Sequence, residues 1–406
     1  MNKKISLDFI RAIPKTDLHV HLDGSLRLST LIELARAEKV ELPSYDEDGL
    51  RKLVFKDAYK DLLEYLKGFA YTCAVLRTAE NLERIGYEMV QDNLAENVRY
   101  LEVRFAPQLH IHKNLSLEEI VEAVCRGMGR ARDEHNRSQA VKDGTDIPFY
   151  FGIIVCAMRC FNEHYSPYYA QLWSAMKYAP EKEIFSTASL ELARAAEILA
   201  HKKGLPVVGF DLAGAESGYP AVSHAEAYKY VHSHFIRKTV HAGEAYGPES
   251  IFQAITECHA NRIGHGTWLF AHDRINNPDI EDPEAFVHYL VEYIASQRIS
   301  IEVCPTSNLQ TMPELKNDIR NHPLKKMLEH ELSVTICTDN RLVSSTTTSD
   351  ELMLVTEALN LPLRDLRNLV IAGFKGSFFP GTYPEKRHYV RQVINQLDRL
   401  EREMLG

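Results

Sequence analysis

Short apolar runs alternate with longer amphipathic stretches along the whole chain, and eight of the short runs end at a polar residue. They predict strands at Thr16–His21, Arg99–Phe105, Phe149–Cys156, Val207–Asp211, Lys238–His241, Arg262–His265, Ser300–Val303 and Val334–Thr338. Helical patterns fill the intervals. Thr30-Leu31-Ile32-Glu33 offers a capping box at the start of one. Gly204 and Pro206 should stop the helix that carries Leu190, Ala193, Ile198 and Leu199. Val390, Val393, Ile394, Leu397, Leu400 and Met404 recur at helical spacing in the last one, as core packing. Right-handed crossovers return each strand to the same end, so eight such units predict an α/β fold, a closed (β/α)8 TIM barrel. An open doubly wound sheet is the alternative. Against it, the first strand runs into His-Leu-Asp-Gly-Ser rather than a glycine-rich dinucleotide turn, and no P-loop occurs.

A typical barrel takes ~250 residues. The 406 present here leave a surplus, which fits Asp46–Tyr71, the polar stretch Asp133–Asp146 and Asn276–Glu284. No Ser/Gly linker or repeat divides the chain. Residues 1–406 therefore read as one domain, with inserted helices at 46–71 and a C-terminal helix at 384–405. Lysine and arginine number 47 against 56 acidic residues, a net charge of −9 without a basic stripe, which argues against nucleic acid. The longest apolar run, near Phe151 to Met158, is far too short to cross a bilayer. Met1 to Asp8 is basic but lacks the apolar stretch of a secretory signal. The seven cysteines, Cys156-x3-Cys160 included, show no strong zinc or redox spacing. They read as reduced thiols of a cytoplasmic protein. Oligomeric state is open.

In an extended strand alternate side chains share a face, so His19 and His21 point one way, with Asp17 and Asp23 in phase and Leu18, Val20 and Leu22 packed behind. Barrel enzymes carry their active residues at the C-terminal strand ends. Those ends read His19/His21/Asp23, Arg104, Cys156, Asp211, His241, His265, Cys304 and Asp339. A Gly243 turn lets Glu244 swing back over the mouth beside His241, and glycines flank His265. Two histidines from the first strand, His241 and Asp339 make an N3O set suited to one zinc ion, with iron or cobalt as alternatives. Such a metal lowers the pKa of water from ~15.7 to ~7. Glu244 and His265 remain for proton traffic.

Blander readings compete. His232 and His234 fall on a helix, where i and i+2 do not share a face, and read as solvated. His110 and His112 follow strand two beyond Pro107, within reach of the mouth, and a loop or structural role is the favoured reading. His224-Ala225-Glu226 lacks the Pro-Cys-x-x-Cys of cytidine-type zinc deaminases and reads as helix surface. Glu102 and Arg104 read as a pair inside the barrel, and Asp211 reads equally as a residue that contacts the site and as a support or turn residue.

The residues resemble the adenosine deaminase family of metal-dependent hydrolases over nearly the whole chain. The matching stretches are Pro14–Arg27, Tyr100–Pro107, Gly209–Gly214, His241–Glu244, Gly264–Gly266, Cys304–Asn308 and Thr338-Asp339. The resemblance makes His19, His21, His241 and Asp339 the zinc ligands, one ion per chain. It makes Glu244 the proton donor to the purine ring, and His265 the group that orients and helps deprotonate water. Backbone at Gly214 would meet a ring nitrogen and Asp23 a ribose hydroxyl; relatives acting on free adenine usually lack that aspartate. Tyr65, Leu66 and Phe69, at i, i+1 and i+4 on one helix, match an apolar lid. One position departs from the pattern: the family commonly has a second Asp after the metal ligand, and here it is Asn340. An amide NH2 can donate to the purine imidazole nitrogen at any pH, so the contact should persist. The implied activity is hydrolytic deamination of adenosine or a related 6-aminopurine nucleoside. The alternatives are a 5′-modified adenosine or free adenine as substrate, another mononuclear metal-dependent hydrolase, and a catalytically silent binding protein.

Overall fold

The computed structural model describes residues 5–406, and the basic segment Met1–Lys4 lies outside them. Eight parallel strands form one sheet in chain order. They are β1 (Lys15–His21), β2 (Val98–Phe105), β3 (Tyr150–Met158), β4 (Val207–Ala213), β5 (Arg237–Ala242), β6 (Arg262–His265), β7 (Ser300–Val303) and β8 (Val334–Ile336). Each predicted strand is present within two residues at either end. Thr338 falls beyond β8, because the chain there leaves the β7 ladder and turns to pair with β1. An isolated parallel bridge, Val20 to Asp339, closes the ring. Its bonds are His21 N to Asp339 O at 2.7 Å and Asp339 N to His19 O at 2.8 Å. The fold is a (β/α)8 barrel. Leu18, Val20 and Leu22 are fully buried on one face of β1 and Asp17 and His19 on the other, since parallel barrel strands are covered on both sides.

Helices cover the strands as the periodicity requires, with local differences. The helix Leu28–Glu38 has Arg27 at its N-cap, so Thr30 caps nothing. Its hydroxyl donates to Glu88 Oε2 at 2.7 Å. The buried acceptor on a neighbouring helix overrides the local capping signal. The helix Glu181–Glu197 passes into a π turn, Ile198–Lys202, before Gly204 takes φ 66°. The last helix, Tyr383–Met404, starts at a Thr382/Glu385 capping box and buries Tyr389, Val393 and Leu397, while Met404 is exposed. Tyr389 Oη donates to Arg99 O and Pro148 O, which ties this helix to the N-terminal ends of β2 and β3. Among the described residues no helix is long and apolar enough to cross a membrane.

Candidate active site

His19 and His21 come from β1, His241 from β5, and Asp339 from the turn that closes the ring. One donor atom from each lies within 4.8 Å of all the others. His241 Nε2 is 3.1 Å from His19 Nε2 and 3.2 Å from His21 Nε2. Asp339 Oδ1 is 3.4 and 3.5 Å from the same two nitrogens. Donors held tetrahedrally at ~2.0–2.1 Å from zinc stand about 3.3 Å apart. A second observation concerns protons. His19 Nδ1 donates to Glu302 Oε2 at 2.8 Å, and His241 Nδ1 meets Asp211 Oδ2 at 3.1 Å. Carboxylates only accept, so in its neutral form each ring carries its proton on Nδ1 and leaves its Nε2 lone pair for a cation. The donor set fits a divalent ion.

Beneath the histidines lies a buried ionic layer. Arg104 donates to Asp211 and Glu302, and Arg262 pairs with Glu302 and Glu102, all at most 1% exposed. Glu102 and Arg104, expected to pair with one another, instead each reach across the barrel. Successive inward positions on one strand stack along it, so their nearest opposite charges lie on other strands. Ser307 Oγ donates to Asp339 Oδ2 at 2.6 Å and fixes the fourth donor. Such outer partners orient ligands and raise their basicity.

Glu244 Oε1 stands 3.7 Å from His265 Nε2. Burial first, then the charges of Asp339 and Glu216, push the Glu244 carboxyl well above its usual range. This favours its protonated form. The turn carrying it is held by Glu216, which accepts from the backbone N–H of Gly243, Glu244, Ala245 and Tyr246 at 2.6–3.0 Å. For His265 the proton position follows from a chain of bonds. Leu324 N–H donates to His322 Nδ1 at 3.0 Å, so His322 Nε2 carries the hydrogen that reaches Asn308 Oδ1. Asn308 then presents its NH2 to His265 Nδ1 at 3.0 Å, which assigns the His265 proton to Nε2. Burial keeps His322 neutral, its pKa lowered to about 3. His265 and Asp339 both hold positive φ, 65° and 61°, a costly conformation for residues other than glycine. Gly264 leaves room for His19, whose Cε1 would be 2.9 Å from any added Cβ.

The remaining expected residues follow β1, β4 and β8 in the chain. Gly214 follows β4 with φ 101°. Asp23 is buried; burial raises its carboxyl to about 6, and Oδ1 has no partner. Tyr65 and Leu66 end the helix Leu62–Leu66, whereas Phe69 opens a second helix, Phe69–Val75. The single-helix expectation is corrected, since Gly68 interrupts the run. Phe69 lies edge-on to His21, with ring centroids 6.4 Å apart. Tyr65 is 1% exposed, and its hydroxyl bonds Ser344 Oγ at 2.7 Å and accepts from Asn340 Nδ2 at 2.8 Å. One hydrogen of the Asn340 amide is thus engaged and one is left.

Other candidates stand apart. His232 stacks on His259, and His112 donates to Arg77 O. His224, expected on a helix surface, is 1% exposed and bonded to Ser189 Oγ; a 3-10 turn, Ala221–His224, rotates it inward. Cys304 bonds only backbone, and Cys156 rests on Asp211. Glu302, Ser307, Asn308 and Glu216 were not anticipated. A lone glutamate at an inward position of Ser300-Ile301-Glu302-Val303 was a signal for the first. Glu216 lies in an irregular loop with no pattern to mark it.

A family model described as Adenosine deaminase matches residues 14–396. An adenosine deaminase of Mycolicibacterium vanbaalenii is 37% identical over 97% of this chain and 98% of its own length. A probable adenosine deaminase of Dictyostelium discoideum is 35% identical over 93% of this chain, which spans 42% of that longer protein. The crystal structure of an adenine deaminase from Arthrobacter aurescens shares the fold, with TM-score 0.73 and 22% identity over 95% of this chain and 100% of that one. The chain belongs to the adenosine deaminase family, hydrolases that act on carbon–nitrogen bonds.

Proposed function

We propose that this protein is a zinc-dependent enzyme of the cytoplasm that deaminates adenosine, or a closely related 6-aminopurine nucleoside, with water, giving the inosine-type product and ammonia. The observation that carries the reading is Glu244, buried 3.7 Å from His265 at the rim of the His19/His21/His241/Asp339 cluster, where burial favours its protonated form. These four side chains would hold one ion. Zinc bound there supplies Lewis acidity that brings the pKa of water to about 7. Glu244 donates its proton to the ring nitrogen beside the amino-bearing carbon, which makes that carbon electrophilic. His265 orients the attacking oxygen through its Nε2 hydrogen. Water adds to the ring carbon, a tetrahedral intermediate forms there, and the amino group departs as ammonia. Iron or cobalt would suit the same donors.

The Gly214 backbone and the free amide hydrogen of Asn340 hold the purine edge in this reading. Tyr65, Leu66 and Phe69 form the lid that excludes water. Asp23 faces the sugar, which favours a nucleoside over free adenine. A carboxylate there also repels a 5′-phosphate. The free state of all seven cysteines supports a reducing compartment.

An absorbance assay with adenosine, 2′-deoxyadenosine, a 5′-substituted adenosine, AMP and adenine tests the assignment. Adenosine or a close analogue should be turned over fastest. Preference for adenine or AMP would overturn the substrate reading, and no turnover on the whole panel by metal-loaded protein would overturn catalysis.

A further inference from the structure

Across the same mouth lies a second group of chemistry-bearing side chains. Asp23 follows β1, His110 follows β2 after the turn Pro107–Leu109, and Cys73 sits on the helix Phe69–Val75. One donor atom from each falls within 4.8 Å of the other two. Cys73 Sγ is 3.8 Å from Asp23 Oδ2, about the edge of a tetrahedron with one bond of ~2.3 Å to sulfur and one of ~2.1 Å to oxygen. The polar atoms here are left over by the fold. His110 is 4% exposed, and neither of its ring nitrogens has a hydrogen-bond partner. Asp23 is 3% exposed, and its Oδ1 has none. Buried polar atoms in folded proteins are nearly always paired, so three orphans in one cluster point to a missing occupant. Cys73 is half-buried.

We propose that Asp23, Cys73 and His110 form a second cation site, selective for thiophilic divalent ions such as Zn2+, Cd2+ and Co2+. Thiolate, imidazole and carboxylate are the donor types these ions prefer, and three protein ligands leave a fourth position for water. Binding forms a metal–sulfur bond at Cys73, and the thiol proton passes to bulk water. His110 is already neutral, because burial lowers its pKa to about 4, and it ligates without losing a proton. An ion held at Asp23 fills the space in which a ribose hydroxyl would meet that carboxylate. The second ion therefore competes with nucleoside, a consequence that rests on the substrate reading above.

The test uses protein already loaded with one metal ion per chain, titrated with Co2+. The first site holds no sulfur, so a thiolate-to-cobalt charge-transfer band in the near ultraviolet reports the second alone. The wild type should develop that band and reach two metals per chain by elemental analysis. Cys73→Ser should lose the band and the second equivalent while keeping the first. His110→Asn should weaken the second site at least as much as the ~10–100-fold cost of losing an outer-shell partner. Free Zn2+ should raise the apparent KM for adenosine in wild type and not in Cys73→Ser. Should Cys73→Ser not fold, slower alkylation of wild-type Cys73 in Zn2+, read by peptide mass spectrometry, decides the matter. A wild type that stops at one metal without the band, a band that persists in Cys73→Ser, or alkylation that Zn2+ does not slow overturns the site. A second ion without a KM effect overturns only the competition.

Discussion

Two His-x-His pairs, one in β1 and one after β2, meet opposite fates. In β1, His19 and His21 share a face because the backbone is extended, and both aim at His241 and Asp339. His110 and His112 have the same spacing but follow a 3-10 turn. One is buried with both nitrogens unpartnered, and the other bonds Arg77 O at the surface. The dipeptide spacing is therefore mute until the backbone gives it a direction. A second contrast concerns support. The His19 and His241 rings are locked by Glu302 and Asp211, while His110 has no partner to set its tautomer.

The sharpest way to break this contrast is to remove one member of each pair. His21→Ala should lose the bound metal and all turnover, whereas His112→Ala should keep both; metal content per chain and the deamination assay read the result. Retained metal in His21→Ala would dissolve the distinction. Next in size, Glu244→Gln should keep its metal and lose about 10²–10⁴-fold in kcat. The sign of its pH dependence follows from its raised pKa: the active form is protonated, so kcat falls as pH rises through that value. The variant's profile should lack this alkaline limb.

Smaller effects probe the supporting layer. Glu302→Gln weakens the acceptor on His19 and should lower metal affinity ~10–100-fold, measured by competition with a chelator. Unchanged affinity would mean the lock on His19 is unnecessary. Tyr65→Phe takes away the acceptor of the Asn340 amide, a net loss of ~1 kcal/mol. The expected reading is a KM for adenosine raised about fivefold with kcat little altered. A fall in kcat alone would place Tyr65 in the chemistry rather than in positioning.

Much of this was legible in one dimension. Short apolar runs between helical patterns named all eight strands, because a barrel strand buried on both faces must be short, apolar and bounded by helices. Strand phase also paired His19 with His21, and the strand ends supplied His241, His265 and Asp339 as candidates. What three dimensions alone decided were relations between strands far apart in the chain: that Asp339 closes the ring against Val20, that Arg104 finds Glu302 and Asp211 rather than Glu102, and that Glu216 holds the Glu244 turn. Side-chain direction along one strand follows from local backbone geometry, which sequence encodes residue by residue. Which charge lies opposite depends on barrel stagger and loop path, quantities that belong to the assembled fold and leave no periodic trace in the chain.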